Sequence, residues 1–121
     1  MDEKVIKGIY EWKERLKSQL NHADEEVNSK QAELQLLRTQ LEILMDALYK
    51  LPESERAGFY DDYVVMVERL IKGNEPVLKE LKNKRKILSN RIQAIFSSIE
   101  SEYPDLETRF KDTGYIDPVR V

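Results

Sequence analysis

Very few side chains in this sequence are suited to making or breaking bonds. His22 is the single histidine and cysteine is absent, so thiol nucleophiles, thiolate metal sites and disulfides are excluded together. His22 stands among Asn21, Asp24, Glu25 and Glu26, where an exposed helical residue is the expected role rather than a metal ligand or a general base. Glu53, Glu55, Asp61 and Asp62 gather acid near the start of a second helix, but without the spacing of a calcium loop. Negative charge at that place suits the helix dipole. Four glycines in 121 residues form no phosphate-cradling loop. The expectation is therefore a non-enzyme with no catalytic residue, metal, cofactor or small-molecule substrate.

Charge is the chemistry that remains. The chain carries 20 basic and 23 acidic residues, a net charge of −3, and 36% of its residues are charged. That share exceeds the roughly 25% of an ordinary globular domain and points to long solvated helices. Its one basic stretch is 73–99, with six basic against two acidic residues. Lys79, Lys82, Lys84, Arg85 and Lys86 cluster there, followed by Ser89, Asn90 and Arg91. These groups are donors of the kind that meet phosphates and base edges. The alternative is a solvated face paired with the acidic first helix.

The elements that must position these groups are helices. Ile6, Ile9, Lys13, Leu16, Leu20, Ala23, Val27, Lys30, Leu34, Leu37, Leu41, Leu44 and Leu48 form an unbroken heptad, apolar at eleven of thirteen positions. One helix over residues 3–50 is predicted, and its narrow stripe calls for a partner helix along its length. Lys13 and Lys30 interrupt the stripe, either snorkelling outward or fixing register. Trp12, near Tyr10, either widens the core or anchors an interface. Leu36, Leu37, Leu41, Ile43, Leu44, Met45, Ala47 and Leu48 make the end of this helix apolar on more than one face. Leu34, Leu37, Leu41, Leu44, Leu48 and Trp12 are accordingly the candidate protein interface.

Leu51-Pro52 ends the first helix and opens a second over 52–72, in the register Tyr60, Tyr63, Val67, Leu70, Asn74. Gly73-Asn74 is a natural stop and Asn74-Glu75-Pro76 a restart with Asn74 as N-cap, giving a third helix over 75–102 with Leu78, Leu81, Arg85, Leu88, Ile92, Ile95 and Ile99 inward. The register slips between the two. Residues 103–121 form a tail with a short helix near Asp105 to Lys111. Its apolar Tyr115, Ile116, Val119 and Val121 are expected to dock on the bundle or meet a partner.

Leu51-Pro52-Glu53-Ser54-Glu55-Arg56, followed by Phe59 and Tyr63, resembles the opening of the fourth region of sigma-70 family factors and related phage and prophage regulators. The resemblance spans residues 51–99. It implies a helix-turn-helix with Val77, Leu78, Glu80 and Leu81 in its first helix and Lys84 to Gln93 as recognition helix. Leu88, Ile95, Phe96 and Ile99 would be buried. Lys82, Lys84, Arg85, Lys86, Asn90 and Arg91 are then the candidate nucleic-acid contacts. The chain departs from that pattern at the turn, Lys82-Asn83-Lys84, and at Ile95, where the family carries a small residue.

The sequence thus predicts an all-α protein, an elongated antiparallel coiled-coil hairpin or a three-helix bundle with one long N-terminal helix, forming a single domain over 1–102. Its expected role is binding: an adaptor, assembly factor or regulator pairing with itself as a homodimer or with another helical protein. A DNA-binding phage or bacterial regulator is the alternative. No run approaches the roughly 20 apolar residues of a membrane span and Met1-Asp2-Glu3-Lys4 does not open a signal peptide, so cytoplasmic residence without membrane binding is expected.

Overall fold

The computed structural model describes residues 3–112 and is all-α. Helix α1 runs over Glu3–Lys50, α2 over Glu53–Phe59, a π-helical turn over Tyr60–Val64, α3 over Val65–Glu102 and α4 over Leu106–Asp112. The 48 residues of α1 contain no proline, and their Glu, Lys, Gln, Leu and Arg content favours one uninterrupted helix. It stops where expected. The Leu51 N–H donates to the Leu48 carbonyl at 3.2 Å, and Pro52 takes an extended conformation (φ −56°, ψ 146°) just before α2. Arg56 secures this turn, donating from Nε to the Leu51 carbonyl at 3.1 Å while its guanidinium lies 5.7 Å from the Tyr49 ring centre.

The break expected between Lys72 and Glu75 is absent. Helix α3 passes through Gly73, Asn74 and Pro76 without interruption, so Glu53 to Glu102 is helical throughout and no separate third helix starts at 75. The inward stripe explains this. Tyr60, Val64, Val67, Ile71, Asn74, Leu78, Leu81, Arg85, Leu88, Ile92, Ile95 and Ile99 follow one another at steps of three and four, and none is exposed. The expected slip came from placing Tyr63 and Leu70 inward, where the fold uses Val64 and Ile71; Tyr63 and Leu70 face solvent. Packing along a continuous stripe outweighs the local helix-breaking tendency of one glycine and one proline.

The π-helical turn carries its own bridge. Tyr60 donates from its hydroxyl to Glu68 Oε1 at 2.6 Å, spanning the wide turn, and Phe59 and Tyr63 rings meet at 4.9 Å between centres. Bonding to the Glu68 carboxylate raises the Tyr60 pKa from the usual 10.0, with desolvation and the charges of Glu68 and Asp61 adding to it. A raised folded-state pKa means that this bond stabilises the fold fully below about pH 10 and is lost as pH rises through the raised value. In an ultraviolet absorbance titration, Tyr60→Phe is expected to remove a tyrosine component that titrates above the usual 10.0. An unchanged alkaline limb would show that the bridge is not formed.

The chain divides into two compact units, one from Met1–His22 with Arg85–Val121 and one from Ala23–Lys84. In the first, Ile6, Ile99, Leu106 and Phe110 form a buried cluster edged by Ile9, Tyr10, Ile95, Phe96 and Tyr103. Pro104 prevents α3 from continuing. The chain turns instead through a bond from the Leu106 N–H to the Tyr103 carbonyl, and α4 follows as a docked helix. Phe110 stacks on Tyr10 at 3.7 Å and 9° between planes. The beginning of the expected tail therefore belongs to a core, while Tyr115, Ile116, Val119 and Val121 lie outside the described residues.

The second unit packs Leu34, Leu37 and Ile71, with Leu41, Val67 and Leu78 against them. Lys30 Nζ donates to Asn74 Oδ1 at 3.0 Å and to Glu33 Oε2 at 2.8 Å, and Asn74 Nδ2 donates to the Leu70 carbonyl at 2.7 Å. Asn74, expected as the cap of a new helix, is instead the polar counterpart of the lysine in the facing stripe. Residue numbers rise along α1 as they fall along α3, so within this unit the two helices run antiparallel.

Candidate interaction surface

The stripe residues expected to form an interface are largely consumed inside the chain. Leu34, Leu37 and Leu48 are buried and Leu41 and Leu44 half-buried. All thirteen heptad positions of α1 are covered to some degree. Trp12 is different: 42% exposed, it edges a groove of about 440 Å³ in the first unit, lined also by Ile9, Ala94, Ile95, Ser98, Ile99, Glu102 and Tyr103.

The expected nucleic-acid contacts all lie on α3, and no turn forms at Lys82-Asn83-Lys84. Lys82, Lys84, Lys86, Asn90 and Arg91 are exposed, but Arg85 is a half-buried stripe residue. Lys84 Nζ pairs with Glu80 Oε1 at 3.1 Å across one helical turn. At about 100° per residue, Lys84 and Lys86 stand roughly 200° apart. Lys84 shares a side with Arg91, and Lys82 with Lys86. A recognition helix offers one face to a groove, and this segment spreads its donors over two.

His22, Glu53, Glu55, Asp61 and Asp62 are exposed, and among the described residues no three His, Asp or Glu side chains lie close enough to share a metal ion. No described helix is long and apolar enough to cross a membrane.

What the second unit does offer is an uncovered apolar flank. Leu36 and Ile43 on α1, and Tyr63, Met66, Leu70 and Val77 on the facing helix, are 40–65% exposed. On each helix these residues follow heptad spacing beside the covered stripe, turned from it in the same rotational sense. In an antiparallel pair, that sense leads to one common side, because reversing a helix and facing it about cancel. The six residues therefore share a single face. The opposite flank carries Arg38, Glu42, Glu68, Lys72, Glu75 and Lys79, with Tyr49 as its one exposed large apolar side chain among the described residues.

Sequence reasoning recognised the surplus apolar character of Leu36 and Ile43 but assigned Tyr63 and Leu70 to the core. A usable signal existed. The rows 59-63-66-70-73-77 and 60-64-67-71-74-78 both fit a heptad, but the second alone runs on through 81, 85, 88 and 92 to 99. No family model, curated protein or solved structure matches this chain.

Proposed function

We propose that this chain is a non-enzymatic coiled-coil interaction protein, an adaptor, assembly factor or regulator that works in the cytoplasm by protein–protein binding and self-association. The apolar flank of Leu36, Ile43, Tyr63, Met66, Leu70 and Val77 carries the reading. Monomeric proteins seldom leave a contiguous apolar patch of more than a few hundred Å² in water, and patches above that size mark binding surfaces. Two further features support it. Cysteine is absent and His22 is the single histidine, and the charged opposite flank gives the surface a defined inside and outside. The basic segment of α3 is taken as a solvated face, supported by the Lys84–Glu80 pair and by the place of Arg85 in the covered stripe.

Site-specific photo-crosslinking in the producing cell tests this function. A photoreactive residue at position 66 is expected to give a discrete protein adduct, whereas one at position 42, on the charged flank, gives none. Equal yields of diffuse adducts from both positions would sink the reading.

A further inference from the structure

We infer that the apolar flank of the second unit is the seat of a second copy of this chain, forming an isologous homodimer in which two antiparallel helix pairs close into a four-helix bundle. This deepens the proposed function and rests on it.

The first argument is area. With roughly 200 Å² for a fully exposed large side chain, the exposures of the six flank residues leave on the order of 650 Å² of apolar surface on one face. That is above the usual largest patch of a monomer and near the roughly 800 Å² per partner of a stable interface. A single short peptide would leave much of it wet.

The second argument is charge. In a chain where 36% of residues are charged, the adjoining rows Ser29, Glu33, Leu36, Gln40 and Ile43 on α1 and Tyr63, Met66, Leu70, Gly73 and Val77 opposite hold a single charged side chain, Glu33, which is paired with Lys30 at 2.8 Å. A two-fold axis sets a face against its own copy, so a face with net charge of one sign would repel itself. A face whose one charge is already paired within the chain suits self-pairing, whereas docking to a charged partner needs complementary charge. The mixed signs of the opposite flank keep that side in water.

The third argument is shape. Small residues flank the large ones of the α1 row, Ser29 one heptad before Leu36 and Ala47 one turn after Ile43, and Gly73 lies in open space between Leu70 and Val77 in the α3 row. Small positions beside large ones let two such faces interdigitate at the close spacing of a helical bundle.

Sedimentation equilibrium of the full chain, taken to high micromolar concentration, tests the inference. Wild type is expected to sediment as a dimer, and the Leu36→Glu, Met66→Glu double variant as a monomer with undiminished helicity by circular dichroism, its self-association weakened at least 100-fold. Both positions are solvent-exposed, so the substitutions leave the covered stripe intact. Ile43→Lys carries the same expectation and replaces the double variant if that variant loses helicity. Tyr49→Glu, on the other flank, is expected to remain dimeric. A monomeric wild type, or a dimer that both flank variants retain, would overturn the inference. The photo-crosslink at position 66 separates the two proposals. An adduct with a different protein beside a monomeric wild type removes the homodimer and keeps the interaction reading. A monomer with no adduct removes both.

Discussion

Leu34→Asp is expected to abolish the cooperative thermal transition and leave the chain largely unfolded at 25 °C. Leu34 is 1% exposed and packs with Leu37 and Ile71 at the centre of the second unit's core. Truncating such a leucine to alanine costs about 2–5 kcal/mol through lost transfer energy and the cavity left behind. A carboxylate adds the penalty of burying charge in an apolar setting, several kcal/mol more. Against a total stability of about 5–15 kcal/mol for a native domain, the sum is decisive. Circular dichroism melts provide the check, with Leu34→Ala expected to melt cooperatively at a lower temperature. A helical Leu34→Asp chain with an unshifted melt would mean that this stripe is not the core. Leu41→Asp, at a half-buried position, is expected to be milder.

The second large effect has the opposite sign. Pro76→Ala is expected to stabilise the protein by about 1–3 kcal/mol, measured by urea or thermal unfolding. Proline inside a helix withholds the N–H that the carbonyl four residues earlier, that of Lys72, would accept, and its ring crowds that turn. Pro76 is exposed and lies outside the inward stripe, so alanine removes the defect without disturbing packing. Part of the gain is offset because proline also restricts the unfolded chain. A destabilised Pro76→Ala variant would indicate that α3 is interrupted here after all.

Where the amino-acid pattern was unambiguous, the fold could be read from it. The α1 heptad has no competitor over its length, and every one of its positions is covered. The turn at Leu51-Pro52 and the short helix after Pro104 follow from backbone rules that act locally. The second arm was misread for a physical reason. Two neighbouring rows of α3 are both apolar, and Gly73 with Pro76 signals a stop that long-range packing overrides. The same ambiguity hid the candidate surface. An apolar row on a helix announces that it wants cover, but only the partner's position decides which of two rows is covered within the chain. Tyr63 and Leu70 thus changed from core to surface, while Leu36 and Ile43 kept the exposed character that their offset from the stripe implied. The division into two compact units left no mark in composition, since charged and apolar residues alternate alike along α1 and α3.

The cluster that joins Ile6 and Tyr10 to Leu106 and Phe110 sets an order on synthesis. As the chain leaves the ribosome, the first turns of α1 emerge long before the residues that cover them. The Leu51-Pro52 turn and its flanking stripe can close early, because their partners are near in sequence and the loop-closure cost is small. Ile6 must wait until roughly a hundred further residues have been made. Until then the stretch 6–10 of α1 is an unshielded apolar surface, open to chaperones and to neighbouring nascent chains.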